Sequence, residues 1–388
     1  MLKFRSKGQF NLSWLVVYIG ICSAIVNPVL SFAPIFVGSM ITALGFSTSN
    51  AIVIISAEFA ASAFSFIPAL WWVSRVSWRM VAAFSLVAIT IGNFLSIGSE
   101  QFISLLAIRI FTGLFEGNLL ILIMLIAGQA TKTEELFGGK LALQMLTVAV
   151  GLALLPLAVS AWGLSGMYAA LTFSSGVLLV GVKLLPNLDK SKLPPLLKNK
   201  KIKPTFWAYI SLLLLLMFAA GTNSVWTYLE RIGTANSLSF DFISLLLAVA
   251  ILLSIGCGLL CSSIGIRYGR MLPISLGLSA GVLGCLFLIT EEVSLSFYVI
   301  GVLFIAIAKV LPLPYLFGYL TILDHQRYLV VLSHVVLAVG MALGPILTLL
   351  ISQDVGYQYV LLFAIAVLSF TYGLSLKLMS IIRQIEKP

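Results

Sequence analysis

Six charged side chains lie within otherwise apolar stretches of the sequence. They are three acids and three bases: Glu58, Arg109, Glu116, Glu230, Arg231 and Lys309. If these stretches cross a membrane, each charge costs about 2.5–3.5 kcal/mol near the centre of a helix and marks a candidate functional residue. A carboxyl group in that setting is either paired with a base or protonated. Alternation between the two states can couple proton movement to a conformational change.

Arg109 and Glu116 are the most informative of these residues. They are separated by two helical turns, so both lie on one face of a helix together with Gly113 and Gly117. A face this polar points towards a cavity or a partner helix. Arg109 can therefore serve in solute binding, or it can be a structural pin that pairs with Glu58 or Glu116.

A second polar face is predicted just after the middle of the chain. Its members recur at helical spacing and are Asn223, Trp226, Thr227 and Glu230. An amide, an aromatic ring and a carboxylate together suit a small polar or charged solute. The alternative is that Glu230 and Arg231 form a pair among the lipid headgroups, because the predicted span ends beside them.

Lys309 stands shortly before two prolines. Pro312 and Pro314 follow it by about one turn and are predicted to break the helix, because proline has no backbone N–H to donate. Backbone carbonyls freed in this way line binding sites in many transporters.

These residues divide into two predicted roles. Proton coupling is assigned to Glu58, Glu116 and Glu230. Substrate binding is assigned to Arg109, Lys309, Asn223, Trp226, Thr227 and Arg231. No catalytic residue, metal site or cofactor is expected.

The composition determines which elements must position these side chains. Hydrophobic residues make up 61% of the 388 residues and charged residues 9%, with a mean hydropathy of +1.13. Soluble domains carry about 25% charged residues, so a water-soluble fold is excluded. The apolar runs are continuous rather than alternating, which favours membrane helices over a barrel. At roughly 30 residues per span and loop, the chain has room for about twelve helices.

The predicted spans follow the apolar runs. They are residues 12–36, 49–73, 78–98, 102–128, 137–161, 165–186, 205–232, 241–265, 271–290, 296–321, 328–352 and 356–380. Nearly all of the 23 Lys and Arg residues then fall on one side of the membrane. The positive-inside rule places that side, with both termini, in the cytoplasm. Cations clustered in short loops also argue against a nucleic-acid partner for the net charge of +10.

The chain is predicted to consist of two related halves. A basic, proline-bearing linker at 188–204 separates a six-helix bundle at 1–187 from another at 205–388. Residues 149–156 recur as 338–345, with six of the eight residues identical. We therefore expect the halves to be repeats related by an axis along the membrane normal.

Several short patterns resemble those of the major facilitator superfamily. Segment 258–270 is similar to the family's signature loop through Arg267, Gly269 and Arg270, with Ile266 in place of the acid. A weaker copy stands in the first half, carried by Arg75 and Arg79. The fourth span resembles a further family motif through Leu105, Arg109 and Gly113. The resemblance implies an all-α fold of twelve helices in two bundles, with the first, fourth, seventh and tenth spans around a central cavity. It implies a gating role for the loop residues Arg75, Arg79, Arg267, Gly269 and Arg270.

The function indicated by these patterns is secondary active transport, not catalysis. We expect a proton-coupled carrier of a small polar or anionic organic solute, in the cell inner (plasma) membrane, acting as a monomer. Its partners are the substrate, protons and the lipid bilayer. The main alternative is a proton-antiporting efflux pump for amphipathic compounds, which the aromatic content favours and the buried bases disfavour. A lipid-modifying enzyme would need a nucleophile and base or a metal, and a sensor would need a signalling domain. No phosphate-binding loop suggests ATP.

Overall fold

The structure is a computed structural model that describes eight ranges of the chain. They are residues 12–73, 75–129, 133–186, 206–265, 267–290, 293–323, 328–352 and 356–385. Every regular element within these ranges is a helix, which confirms the predicted all-α class. The chain divides into two compact units, Met1–Pro194 and Pro195–Pro388. The division itself falls outside the described residues.

Unit 1 is built from helices that pair along their length. Its described elements are α1 (Leu12–Val26), α2 (Pro28–Leu44), α3 (Thr48–Phe64), α4 (Phe66–Trp72), α5 (Trp78–Ile97), α6 (Phe102–Gln129), α7 (Thr133–Gly181) and a short 3-10 helix (Val182–Leu184). Helix α6 packs against α3 on one side and α5 on the other, and α7 packs against α1 and α5.

Unit 2 is arranged around its first helix. Its described elements are α8 (Phe206–Ala235), α9 (Phe240–Ile264), α10 (Met271–Leu288), α11 (Leu295–Val310), α12 (Leu313–Leu323), α13 (Tyr328–Ser352) and α14 (Gln358–Ile385). Helix α8 packs most extensively against α13 and also against α14 and α12. Helix α10 packs against α11 and α14.

The helices have the length and surface of membrane spans. Ten segments in the described part of the chain are long and apolar enough to cross a bilayer. Two further apolar helical stretches, Ala142–Leu154 and Val335–Ile351, are shorter. Large apolar side chains remain exposed, such as Phe84 at 64% and Phe173 at 74%. Acyl chains can cover such a surface, so the protein is a multi-pass membrane protein.

Three of the predicted spans are interrupted helices. The first predicted span, 12–36, is interrupted at Asn27 and continues to Leu44, so its predicted end was wrong. Proline at position 28 suits the first turn of a new helix, because backbone N–H groups there have no acceptor within the helix and none is lost. The second predicted span is interrupted at Ser65. The tenth is interrupted between Val310 and Leu313, which confirms the predicted proline break.

Helix α7 contains a sharp turn at a single glycine. Gly163 has φ 59° and ψ −150°, a conformation that residues with a Cβ rarely adopt. The turn lies in the gap predicted between residues 161 and 165. Across the turn, a Cβ at Gly166 would collide with the backbone of Ala158. Two helices are therefore folded back on each other with almost no loop.

Glycines allow close approach where each unit holds its polar residues. A Cβ on Gly113 of α6 would lie 2.5 Å from the backbone oxygen of Glu58 on α3. A Cβ on Gly340 of α13 would lie 2.5 Å from the backbone oxygen of Leu216 on α8. Small residues at these points let neighbouring backbones touch, as is common between membrane helices.

Candidate functional site

A buried network in unit 1 is centred on Arg109. Helix α6 carries both Arg109 and Glu116, two turns apart, and α3 carries Glu58. All three side chains are at most 2% exposed. The contact of α3 with α6 at Gly113 brings Glu58 to the face that Arg109 and Glu116 share. The structure thus places together three of the residues predicted for coupling and binding.

Arg109 forms a bidentate ion pair with Glu58. Its Nε donates to Glu58 Oε2 at 2.9 Å, and its Nη2 donates to Glu58 Oε1. Its Nη1 donates to Asn93 Oδ1 on α5 at 2.8 Å. The ring of Tyr168 on α7 lies 5.4 Å from Arg109 Cζ, in cation–π range. Arg109 therefore connects four helices. This arrangement is compatible with a structural role for Arg109 and with a role in solute binding.

Glu116 is the second carboxyl group beside this guanidinium. Its Oε1 lies 3.6 Å from Arg109 Nη2, the nitrogen that also binds Glu58. Among the described residues, neither oxygen of Glu116 has a hydrogen-bond partner. Two carboxyl groups thus compete for one base, and Glu116 holds the weaker position.

Lys309 and Trp226 meet in unit 2. The Lys309 ammonium lies 4.1 Å from the centroid of the Trp226 ring, which is a close cation–π contact. In the described part of the chain, no carboxylate lies within ion-pair distance of Lys309. The break after Lys309 is held by Cys261, whose thiol donates to Leu311 O at 3.8 Å, and by Tyr315, whose hydroxyl donates to Gly265 O at 3.0 Å.

Asn223 on α8 donates a hydrogen bond to one backbone carbonyl of α13. Its Nδ2 donates to Met341 O at 2.9 Å. In an uninterrupted helix, this carbonyl accepts from the N–H four residues later, but that residue is Pro345. The Asn223 amide therefore replaces the hydrogen bond that proline removes. Its Oδ1 has no hydrogen-bond partner in the described residues.

Thr227, Glu230 and Arg231 make contacts close to their own positions on α8. Thr227 Oγ1 donates to Asn223 O at 2.8 Å. Arg231 Nε donates to Glu230 Oε2 at 2.8 Å, and Thr234 Oγ1 donates to Glu230 Oε1 at 2.8 Å. Glu230 is 2% exposed, and both residues lie within α8, which ends at Ala235.

The predicted gating residues lie at the ends of helices. Arg75 is exposed and stands over Trp71, with Cζ 5.4 Å from the ring. Arg79 Nε donates to Leu185 O at 2.7 Å, tying the start of α5 to the end of unit 1. In the second loop, Gly269 has φ 74°, which explains a glycine there. Arg267 occupies the same turn.

Arg270 stands immediately before α10 and packs close to α12. A Cβ on Gly318 would lie 3.1 Å from its Nε. The glycine thus leaves room for the guanidinium group beside the broken helix.

Sequence reasoning missed two members of the Arg109 network. Asn93 is an amide in the middle of an apolar run and could have been flagged by that fact alone. Tyr168 carries no such signal, because tyrosine is common near membrane interfaces. The dependence of Asn223 on Pro345 was also missed, since it requires knowing that α8 and α13 are neighbours.

Apolar helices with buried ion pairs define a polytopic α-helical membrane protein. The sequence profile of the Major Facilitator Superfamily matches residues 12–321, and the chain belongs to that family. It is accordingly a membrane transporter of small molecules and not an enzyme.

Solved structures of other transporters share the fold. The human organic anion transporter MFSD10 (TETRAN) is 14% identical, with a TM-score of 0.68 over 95% of this chain and 100% of that one. The nucleoside transporter NupG is 13% identical, with a TM-score of 0.68 over 95% and 98%. A POT family transporter in complex with a thioalcohol-conjugated peptide is 14% identical, with a TM-score of 0.72 over 97% of each chain. No curated protein matches the sequence significantly.

Proposed function

We propose that the protein is a proton-coupled secondary transporter that moves a small polar or anionic organic solute by alternating access. It crosses the cell inner (plasma) membrane twelve times, with both termini in the cytoplasm, and acts as a monomer. Its two proposed six-helix bundles, 1–187 and 205–388, are joined by the basic linker 188–204. The distribution of Lys and Arg supports this topology.

One observation carries the proposal of proton coupling. Two buried carboxyl groups, Glu58 and Glu116, lie against the same nitrogen of a single base, Arg109. One guanidinium neutralises one carboxylate, so the second carboxyl group is best accommodated with a proton. Glu116 is that second group, because its oxygens lack the hydrogen bonds that Glu58 receives.

A transport cycle follows from this imbalance. Glu116 takes up a proton when its side of the membrane is open, and the network then carries no net charge. A neutral site can be closed and reopened on the other side at lower cost than a charged one. When the proton is released, the Glu116 carboxylate competes for Arg109 Nη2. This competition weakens the ion pair between Arg109 and Glu58. Glu230 is the third carboxyl group proposed for proton coupling, and in this structure it is paired with Arg231.

Two basic groups, one in each unit, are proposed to attract an anionic solute. Lys309 has no carboxylate partner in the described residues, so an anionic solute group can fill that role and favour the protonated ammonium. Arg109 attracts the same charge in unit 1. The remaining predicted binding residues are Asn223, Trp226, Thr227 and Arg231. We propose a gating role, in cytoplasmic loops, for Arg75, Arg79, Arg267, Gly269 and Arg270.

The alternative is a proton-antiporting efflux pump for amphipathic compounds. It is favoured by the aromatic content of 11% and disfavoured by the three bases within apolar stretches, Arg109, Arg231 and Lys309. The two differ in direction. A symporter accumulates solute in the compartment that the proton gradient drives protons into, and an antiporter depletes it there.

Reconstituted vesicles test the proposal directly. Radiolabelled nucleosides, peptides and organic anions, the solutes named for the structural neighbours, form the starting panel. With an imposed pH gradient, wild-type protein should move at least one of them against its concentration gradient. Glu116→Gln should keep exchange of solute across the membrane but lose accumulation driven by pH.

The control is Gln144→Glu, which adds a carboxyl elsewhere in unit 1, beside Lys140, and should leave coupling intact. Full pH-driven accumulation in both Glu116→Gln and Glu58→Gln would show that the two carboxyl groups are structural partners of Arg109. The coupling proposal would then be wrong.

A further inference from the structure

The predicted binding face of α8 has fewer free polar atoms than its sequence suggests. The Thr227 hydroxyl donates to the backbone oxygen of Asn223, and the Arg231 guanidinium donates to the carboxylate of Glu230. The Asn223 amide nitrogen donates one of its two N–H groups to Met341 O. Because a carbonyl only accepts, this contact fixes which end of the Asn223 amide is which. The Asn223 atom without any hydrogen-bond partner in the described residues is the acceptor Oδ1.

Trp226 supplies the complementary donor. Its Nε1 is buried and has no hydrogen-bond partner in the described residues. Trp226 lies one turn after Asn223, so the two side chains share a face of α8. The exposed fractions are 0% for Trp226 and 1% for Asn223. Buried polar atoms without partners cost about 1–3 kcal/mol each, so a ligand that satisfies them gains affinity.

Lys309 completes the set from α11. Its ammonium lies on the face of the same indole ring and has no carboxylate partner among the described residues. The three groups present a cation, an N–H donor and a neutral acceptor. A ligand that matches them carries one negative charge, with oxygens for Lys309 and Trp226, and one hydrogen-bond donor for Asn223.

We propose that Lys309, Trp226 and Asn223 form a subsite for a hydroxycarboxylate, a monoanionic acid with a hydroxyl group beside its carboxylate. The inference rests on the proposed transport function and names its substrate class. A single lysine balances one charge, which favours a carboxylate over a phosphate dianion. A neutral acceptor suits a hydroxyl group better than an ammonium group, which needs a carboxylate close by.

Three small compounds of matched size test the class. Lactate has the carboxylate and the hydroxyl, propionate lacks the hydroxyl, and propylene glycol lacks the charge. Phenyllactate and phenylpropionate repeat the comparison at larger size. Binding is measured on the purified full-length protein in detergent by the rise in thermal stability with ligand concentration. Each hydroxy acid should bind about tenfold more tightly than its partner without the hydroxyl, as expected for one hydrogen bond at a buried site. Propylene glycol should not bind.

Two substitutions assign the effect to these residues. Trp226→Phe keeps a ring beneath Lys309 but removes Nε1, and it should weaken binding of both carboxylates by roughly tenfold or more. Its matched control is Trp72→Phe, which removes an indole N–H that donates to Asn118 in unit 1 and should not change binding. Lys309→Met should abolish the preference for lactate over propylene glycol, and Lys309→Arg should retain it.

The outcomes separate this inference from the proposed function. If no hydroxy acid binds more tightly than its partner, or if Trp226→Phe and Trp72→Phe behave alike, the hydroxycarboxylate subsite is wrong. Proton-driven flux that depends on Glu116 can still be present in that case. If the hydroxy acids bind as expected but flux does not respond to pH, the subsite stands and the coupling proposal fails.

Discussion

At the scale of single residues, Glu58 and Glu116 are unequal although both are buried carboxyl groups. Glu58 receives two hydrogen bonds from Arg109, whereas Glu116 receives none from the described residues. Burial of a charged group is tolerated when it is paired and hydrogen-bonded. The difference agrees with the proposal that Glu116 exchanges the proton while Glu58 holds Arg109.

The two carboxyl groups should therefore differ in their effect on stability. Glu58→Gln removes the main partner of a buried guanidinium and should lower the free energy of unfolding by about 3–5 kcal/mol, the usual cost of breaking a buried ion pair. Glu116→Gln leaves the pair intact and should cost less than about 1 kcal/mol. Thermal unfolding in detergent, followed by tryptophan fluorescence, measures both. A larger loss for Glu116→Gln would contradict the assignment.

The contact of Asn223 with Met341 O makes a second prediction at this scale. Asn223→Ala leaves the carbonyl freed by Pro345 without a donor and should destabilise the protein by about 1–3 kcal/mol. In a Pro345→Ala background, the N–H of residue 345 can serve Met341 O, and the same Asn223→Ala change should cost less than about 1 kcal/mol. Equal costs in the two backgrounds would show that the two residues act independently.

At the scale of elements, the turn inside α7 depends on one residue. A side chain at Gly163 would have to adopt φ 59° and ψ −150°, which costs about 1–3 kcal/mol for a residue with a Cβ. Gly163→Ala should lower thermal stability accordingly. Gly256→Ala is the matched control, because Gly256 is in the middle of α9 with no atom near an added Cβ. That change should be neutral or slightly stabilising. If the two variants unfold at the same temperature, alanine at position 163 is not strained and the prediction is wrong.

The helix boundaries show what a sequence can predict at this scale. Apolar runs and prolines are local signals, so α5, α6 and α13 and the break near Pro312 were found closely. The interruption at Ser65 is marked by Pro68, which has no N–H to donate to the carbonyl of Phe64, the last residue of α3, but this local signal was missed. The partners of Arg109 lie on four helices, and pairing between distant helices leaves no trace in a single sequence beyond the polarity of each residue. Tyr168 was missed for this reason, whereas the polarity of Asn93 within an apolar run could have flagged it.

At the scale of the whole molecule, the orientation in the membrane is still a prediction. Cysteine introduced at Glu100 and Asp354 should react with a membrane-impermeant maleimide in intact cells, because both positions fall in the predicted outer loops. Cysteine at Lys192, in the basic linker, should react only after the cells are opened. Glu100 lines an open pocket with Ser99 and Gln101, so it is accessible to the reagent. Labelling in the reverse order would invert the proposed topology.

The ion pair of Arg109 and Glu58 has a further consequence for how the protein is made. The two residues are 51 positions apart in the chain, so α3 leaves the ribosome well before α6 supplies the base. During that interval, Glu58 must enter the membrane without its partner, by carrying a proton or by waiting at the insertion machinery. Glu58→Gln should accordingly help α3 to insert when it is synthesised alone, although it weakens the finished bundle. The same carboxyl group is a burden during biogenesis and a support once unit 1 is complete.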